Sequence, residues 1–514
     1  MLRDRLKLSA LYHLTLTRFV LLISIFIFLF YHLPFYKYVF QHVNYKSLNG
    51  ILVIVCLMVL MIVVNAFVLY IIFKLSRYTG KFLVILFFIL NAIALYFINT
   101  YNVIIDESMM GNVLNSYYEE SSSFFSFKLI LYVIVLGILP AIYVFRVRIK
   151  RESWKRFFLT FSITLLFIAL VAYVNAPNWR WIDKNSKRLG GLAMPWSYSV
   201  NTSLFYIHKH QENKKEILLP PATITDSEKS VVVLVIGESA RKANFSLYGY
   251  QKNTNPLLSQ TPNLFHFDAS SCATYTTAGV KCILEHAKTK DLYEILPNYL
   301  YRNNVDVVWR TTNWGEPPVH IKTYQKRENL VPDCKGEGCS YDEVLLSGLK
   351  EQILASNKNK VLIILHTSTS HGPSYSKKYP PRFEVFKPVC TSVEPGNCSK
   401  EELINAYDNT IVYTDFILHN IIEDLKQLKD YKSAMIFVSD HGESLGEKNL
   451  YMHGVPMAFA PKEQYEIPFI VWQSDSTKQL RVNTTLSQNH VFHSVLKFLS
   501  IQSPVFDEKM SIFK

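Results

Sequence analysis

Asp440 and His441, two side chains of metal-binding type, stand together where an apolar run, Ala434-Met-Ile-Phe-Val438, ends; Gly442 and Glu443 follow. A buried parallel strand that stops at an acid and an imidazole delivers both to the crevice at its carboxyl end. Residues 231–236 (Val-Val-Val-Leu-Val-Ile) run in the same way into Gly237-Glu238-Ser239, and residues 361–365 into His366, with His371-Gly372-Pro373 soon after. A carboxylate just past a strand is either a metal ligand or a helix N-cap acid. The loop Cys272-Ala-Thr274-Tyr-Thr276-Thr277-Ala-Gly-Val-Lys-Cys282 offers three threonines. A hydroxyl becomes a nucleophile when a base or metal lowers its pKa. Glu238, one of these threonines, Asp440 and His441 form an oxygen-rich set with one imidazole, which suits zinc, and manganese or magnesium less well. A metal there would deprotonate the threonine and polarise a phosphoryl oxygen. His371 and His453 would bind phosphate oxygens or protonate a leaving alkoxide.

These residues need a sheet to hold them. Strands are expected at residues 231–236, 305–309, 361–365, 434–438 and 468–472, with helical patterns between them, for example at 403–428. That alternation predicts an α/β domain, residues 230–514, with a mostly parallel central sheet. Ahead of it lie five apolar stretches, near 19–36, 51–73, 82–100, 125–145 and 157–175. Each is long enough for a membrane span, which takes about 17–25 residues. Residues 1–176 are therefore expected to be a five-span membrane domain with a helix near 106–120 on the outer side. Residues 177–229, with Trp179, Trp181, Trp196 and Tyr198 suited to a bilayer surface, read as a connector. Basic residues crowd the N-terminus and the loops after the second and fourth spans, while the loop after the third carries Asp106, Glu107, Glu119 and Glu120. The positive-inside rule puts the N-terminus in the cytoplasm and residues 177–514 outside. The formal charge of +13 is then mostly topology and gives no argument for nucleic acid. Six of the seven cysteines fall in the exported part as close pairs, Cys272/Cys282, Cys334/Cys339 and Cys390/Cys398. An even number in an oxidising compartment predicts three disulfides.

The order Gly-Glu-Ser, Cys-x-Thr-x-Thr…Cys, Ser-His-Gly-Pro, Ser-Asp-His-Gly-Glu-Ser-Leu-Gly-Glu and Met-His-Gly-Val-Pro-x-Ala-Phe-Ala-Pro resembles the phosphoethanolamine transferases, which include the lipid A modifying and mobile colistin-resistance enzymes. Their catalytic domain is of the alkaline phosphatase–sulfatase type. The resemblance implies Thr276 as nucleophile and Glu238, Thr276, Asp440 and His441 as ligands of one tightly bound Zn2+. It implies His371 and His453 as phosphoethanolamine contacts or ligands of a second zinc. The family's Asn-x-x-x-Thr-x-x-x-Glu helix face appears here as Asn112, Ser116 and Glu120, whose spacing aligns three polar groups toward an ethanolamine head group.

The reaction so implied takes phosphoethanolamine from phosphatidylethanolamine through a phospho-threonine and passes it to lipid A. The enzyme would be a monomer in the bacterial inner membrane, with its catalytic domain in the periplasm. The outer surface would lose negative charge and attract cationic peptides such as polymyxin less. The acceptor stays open among lipid A, core oligosaccharide, a glycan or a flagellar protein, and phosphoglycerol transfer or phosphatase action is the enzymatic alternative. A non-catalytic membrane sensor is the rival of another class. One segment departs from the family: Thr311-Thr-Asn-Trp-Gly-Glu-Pro-Pro318 lacks the lysine that helps bind phosphate in some relatives, and the departure is read as a sign of a different acceptor.

Overall fold

The computed structural model describes residues 13–115, 121–122, 124–212, 216–289, 291–474, 479–481 and 485–514. Two compact units emerge, one of Met1–Gly111 with Phe125–Phe205, the other of Asn112–Phe124 with Tyr206–Lys514.

The first unit is helical: α1 (Leu16–Tyr31), α2 (Leu33–His42), α3 (Leu48–Leu75), α4 (Arg77–Tyr101), the first part of α5 (Glu107–Asn115, whose residues from Asn112 on belong to the second unit), α6 (Phe127–Arg146) and α7 (Trp154–Val174). Among the described residues, α3, α4, α6 and α7 are long and apolar enough to cross a membrane, and α1 with α2 adds a fifth if the pair is one span. That first expected span is bent by 63° between its two halves, where Pro34, in the first turn of α2, brings no N–H to continue the helix. Serine side chains at Ser47, Ser76, Ser126 and Ser153 accept the free N–H groups at the starts of α3, α4, α6 and α7. Tyr198 departs from expectation. It is buried against Asn91, its hydroxyl donating to the amide oxygen at 3.0 Å, rather than lying at a surface. Trp196 donates likewise to Asn65.

The second unit is built on an eight-stranded sheet. In chain order its strands are β1 (Ser230–Gly237), β2 (Leu264–Ser270), β3 (Asp306–Thr311), β4 (Thr323–Lys326), β5 (Lys360–His366), β6 (Lys432–Ser439), β7 (Glu466–Gln473) and β8 (Leu486–Ser487). They lie in the order β8-β2-β7-β6-β1-β5-β3-β4. Only β7 runs against its neighbours, β6 and β2. Helices α8 (Thr276–Leu284), α9 (Leu296–Arg302), α10 (Leu349–Leu354), α11 (Lys400–Lys426) and α12 (His490–Phe498) cover the two faces. Alternation along β1 explains its unbroken apolar run. Val231, Val233 and Val235 pack with α11 on one face, and Val232, Leu234 and Ile236 with α8, α9 and α12 on the other.

The three expected cysteine pairs are disulfides: Cys272–Cys282, Cys334–Cys339 and Cys390–Cys398. Cys272–Cys282 ties the loop before α8 to the body of that helix. Cys334–Cys339 closes a short loop between β4 and α10, and Cys390–Cys398 closes the loop that leads into α11 at its Ser399 cap. Cys334, Cys390 and Cys398 pack with the core on the α11 face.

Helix α11 carries a buried acid. Asp415 accepts the N–H groups of Leu257 and Leu258 at 2.9 and 3.1 Å. Burial pushes its carboxyl up to about 7, against the pull of those backbone bonds. The folded protein therefore keeps a proton that the unfolded chain has released from about pH 4 upward, and the associated stability is lost as pH rises through about 7. Asp415→Asn is expected to gain on the parent as pH rises from about 4 to about 7, and to keep a constant difference above that, in urea unfolding of the full chain. A difference independent of pH would contradict this origin.

Candidate active site

The register of β1 against β6 pairs Gly237 with Ser439, so Glu238 and Asp440 leave the sheet side by side at the carboxyl ends of two parallel strands. Both are buried, as is His441. Ser239 sits at φ 54°, left-handed backbone that a serine adopts only under constraint. Its N–H donates to Asp440 Oδ1 at 3.0 Å and its hydroxyl to Glu238 Oε1 at 2.8 Å. The His441 N–H also donates to Asp440 Oδ1, at 2.7 Å. Asp440 Oδ2 is left buried with no hydrogen-bond donor.

Thr276 comes from the opposite side, at the first turn of α8. Gly279 lets that helix approach: a Cβ there would stand 2.2 Å from the Asp440 carbonyl oxygen. Gln488 closes the arrangement by donating to the carbonyls of Ser439 and Asp440 at 2.9 and 2.6 Å and accepting from Cys272 N–H at 2.9 Å. The disulfide loop and the strand end are thus pinned by one side chain. Thr276 Oγ1 then lies 3.2 Å from His441 Nε2 and 3.4 Å from Glu238 Oε2. His441 Nε2 lies 3.4 Å from Glu238 Oε1 and 3.3 Å from Asp440 Oδ2. A tetrahedral cation with bonds near 2.0 Å separates its ligand atoms by about 3.3 Å. These residues therefore fit a cation, and the donorless Asp440 Oδ2 is the atom that most requires one.

The electrostatics agree. Burial pushes the Glu238 carboxyl up, but the imidazoles of His441, His371 and His453 and the Asn313 amide outweigh it, and the net shift is downward. Burial and the adjacent Glu238 charge hold Asp440 well above the usual carboxylate range. Without a cation the pair is stable only with a proton on one member. Burial, reinforced by His453, lowers His441 to about 3. Its Nδ1 lies 2.8 Å from the Gly442 carbonyl. That fixes the tautomer and turns a neutral Nε2 lone pair inward.

His453 and His371 flank this cluster, with ring centroids 5.4 Å apart, and His453 lies 4.3 Å from His441. Glu238, His441 and His453 each present a ligand atom within 4.8 Å of the others, a second combination able to hold a cation. His453 Nδ1 is 2.9 Å from Glu443 Oε2. Glu443 is fixed in turn by the Tyr375 hydroxyl at 2.6 Å. Of the three head-group residues expected from the family, Asn112 comes to the His453 loop: a Cβ on Gly454 would be 3.1 Å from its Nδ2. Ser116 and Glu120 lie outside the described residues. A cavity of about 400 Å³ opens beside His371, lined among others by Asn313, Trp314, Arg327 and Lys377.

The three disulfides do not share one role at this site. Cys272–Cys282 spans the loop and helix start that carry Thr276. The other two bridges, expected along with the site residues, are structural and sit outside the cluster of acids and imidazoles. Cys339 is half-buried and directly precedes Ser340 and Tyr341, which border the cavity beside His371, so the Cys334–Cys339 bridge constrains the segment that leads into that wall. Cys398, also half-buried, is joined to Cys390, whose N–H donates to the Glu402 carbonyl in the first turn of α11 at 3.0 Å. That bridge fixes the start of α11 rather than any reacting group.

Sequence reasoning missed Gln488 and Asn313. Asn313 Nδ2 donates to Glu238 Oε2 at 2.7 Å and to the Thr367 carbonyl at 2.9 Å. Gly315, two residues on at φ 100°, sits against the Thr276 methyl, where a Cβ would stand 3.1 Å from it. The divergent segment 311–318 thus supports the carboxylate and covers the threonine. Its only signal in sequence was departure from the family pattern at the end of a strand. Asn313→Ala is expected to weaken Zn2+ binding about 10–100-fold, the usual cost of losing a ligand's hydrogen-bonded support, in competition with a chromogenic chelator. Unchanged affinity would show that Glu238 needs no such support.

Comparison with known proteins identifies relatives of this chain and of its fold. The sulfatase family model matches residues 230–501. The model described as phosphoethanolamine transferase EptA/EptB matches residues 61–210. Phosphoethanolamine transferase EptA of Helicobacter pylori is 42% identical, over 94% of this chain and 93% of its own. Phosphatidylethanolamine transferase Mcr-1 of Escherichia coli is 29% identical over 85% of this chain and 87% of its own. The structure of the integral membrane protein lipooligosaccharide phosphoethanolamine transferase A from Neisseria meningitidis superposes with a TM-score of 0.88 at 27% identity, covering 98% of each chain. With a relative 42% identical over nearly the whole length and a sulfatase family model matched over the sheet domain, this chain belongs to the phosphoethanolamine transferases of the alkaline phosphatase–sulfatase superfamily.

Proposed function

We propose that the chain moves phosphoethanolamine from phosphatidylethanolamine to lipid A through a covalent phospho-threonine at Thr276. The observation that carries this reading is the hydroxyl of Thr276, 3.2 Å from His441 Nε2 and 3.4 Å from Glu238, at the first turn of a helix held by a disulfide. The name of Mcr-1, a phosphatidylethanolamine transferase, supports the donor. The meningococcal lipooligosaccharide enzyme supports an acceptor of the lipid A class. Residues 1–176 anchor the enzyme in the inner membrane with the N-terminus in the cytoplasm, 177–229 connect, and 230–514 work in the periplasm as a monomer.

Glu238, Thr276, Asp440 and His441 are the residues that would hold zinc. When bound, zinc lowers the pKa of the Thr276 hydroxyl and offsets negative charge on the phosphoryl oxygens. Thr276 Oγ1 attacks the phosphorus, and the bond from phosphorus to the glycerol oxygen breaks. His453, whose Nδ1 faces Glu443 at 2.9 Å, gives its proton to that oxygen, and diacylglycerol leaves. The now neutral imidazole takes the proton from the acceptor hydroxyl, whose oxygen attacks the same phosphorus and frees Thr276. His371 binds phosphoryl oxygens or, with His453, a second zinc. Asn112, with Ser116 and Glu120 by family resemblance, receives the ethanolamine group. Adding a zwitterionic group lowers the negative charge of the outer surface and so its attraction for polymyxin.

Thr276→Ala is expected to abolish diacylglycerol release from phosphatidylethanolamine and to leave lipid A unmodified in mass spectra of cells carrying it. Release or transfer by that variant would refute the threonine route. His453→Gln is expected to slow diacylglycerol release about 10²–10⁴-fold, the usual contribution of a positioned acid–base group, with zinc content unchanged. Loss of zinc in that variant would move His453 from proton transfer to metal binding.

A further inference from the structure

Residues 456–459, Pro-Met-Ala-Phe, form a tight turn on the loop that carries His453. The N–H groups of Phe459 and Ala460 both donate to the Pro456 carbonyl, at 2.8 and 3.0 Å. The base of the turn is firmly held. Leu450, Val455 and Ala460 pack with Tyr465 in a small apolar cluster. Gln464 accepts from the Val455 N–H at 3.2 Å and donates to the Met452 carbonyl at 3.0 Å. The Thr274 hydroxyl donates to the Val455 carbonyl at 2.6 Å, and the Gly454 N–H to the Thr274 carbonyl at 2.7 Å. Met457 and Phe459 nonetheless remain 44% and 38% exposed. A pinned loop that holds two large apolar side chains outward, next to a catalytic cluster, presents a surface for something apolar.

Two features say what that is. Gly454, at φ 84°, is seated against Asn112, and Asn112 lies on the short stretch between Tyr101, the end of α4, and Phe127, the start of α6. Both helices are of membrane-crossing length. A stretch so short, part of it coiled into α5, cannot carry Asn112 far from the bilayer. In addition, the exposed lysines Lys448 and Lys462 bracket the turn in sequence and suit lipid phosphates.

We infer that this turn is a membrane-contact wedge: Met457 and Phe459 enter the interface of a phospholipid surface beside the active site, with Lys448 and Lys462 on its phosphates. The wedge holds the rim of the site at the depth of a lipid phosphodiester and so favours donors embedded in a bilayer over free ones. That consequence rests on the lipid-donor reading above; the insertion does not.

The test uses the full chain in vesicles of phosphatidylethanolamine and phosphatidylglycerol. A polarity-sensitive fluorophore is placed at Met457→Cys in a Cys56→Ala background, with Leu354→Cys as control. Leu354 is exposed and ends α10, which leads into the amino end of β5, away from the site. Lipids brominated high on the acyl chain are expected to quench the label at 457 and to spare the one at 354. An unquenched label at 457, or equal quenching at both, overturns the proposal. In the second arm, Met457→Asp with Phe459→Asp is expected to lose about tenfold or more on vesicle phosphatidylethanolamine, as removal of two apolar anchors implies. It should stay within about twofold of the parent in releasing nitrophenol from soluble p-nitrophenyl phosphoethanolamine, which needs no insertion. Equal losses on both donors overturn the wedge. If the parent itself does not use phosphatidylethanolamine, the donor reading falls, and quenching at 457 still decides the insertion.

Discussion

Two carboxylates are forced together where β1 and β6 end. Parallel pairing of Gly237 with Ser439 sets Glu238 beside Asp440 out of water, and their mutual repulsion must be offset by a proton or a cation. Much of the neighbouring structure serves that pair. The left-handed Ser239 directs its N–H and hydroxyl to the two acids. Every donor near Asp440 goes to Oδ1, which leaves Oδ2 facing the imidazole of His441. A fold that buries an acceptor so consistently without a donor is arranged for a positive charge.

Thr276 is positioned by equally close packing. Thr276 cannot reach the acids unless α8 lies directly on the backbone of Asp440, and only a glycine at 279 permits that approach. Gln488 then ties the strand end to the disulfide loop, so a shift of either moves both. On the far side, segment 311–318 leans on Glu238 through Asn313 and on Thr276 through Gly315. The placement of this threonine thus depends on three elements distant in sequence, β6, α8 and the loop after β3, meeting at one point. The cavity next to His371 opens on the side that the segment after β3 borders.

The five expected strands were legible because central strands of a sheet covered on both faces are apolar throughout, whether parallel or, like β7, antiparallel to their neighbours. Residues 231–236, 361–365 and 434–438 all fall within strands of the sheet. β2 was not legible. Its sequence, Leu-Phe-His-Phe-Asp-Ala-Ser, is exposed at several positions and carries three polar side chains, so nothing separates it from a loop until β7 pairs with it. β4 is a short polar edge and was missed for the same reason. The break at His32 lay inside an apolar stretch whose composition reads as one helix. The cysteine pairs were legible from their short spacing, but spacing does not tell that Cys272–Cys282 ties the segment carrying Thr276 while Cys334–Cys339 and Cys390–Cys398 brace the scaffold. The metal-type residues were legible as strand-end chemistry, but the choice among Thr274, Thr276 and Thr277 came from family resemblance. Periodicity cannot say which hydroxyl a helix start will turn inward. Asn313 and Gln488 carry no local pattern at all, since an amide that supports a ligand from another segment is visible only once the chain is folded.

The set Glu238, Thr276, Asp440 and His441 competes with a set that replaces an acid by His453, and the two differ in the number of imidazoles bound. X-ray absorption at the zinc edge of the full chain loaded with one equivalent of Zn2+ separates them. Four nitrogen or oxygen donors at about 2.0 Å, with the scattering of a single imidazole, are expected. A shell with two or more imidazoles, or one containing sulfur, would contradict the site described.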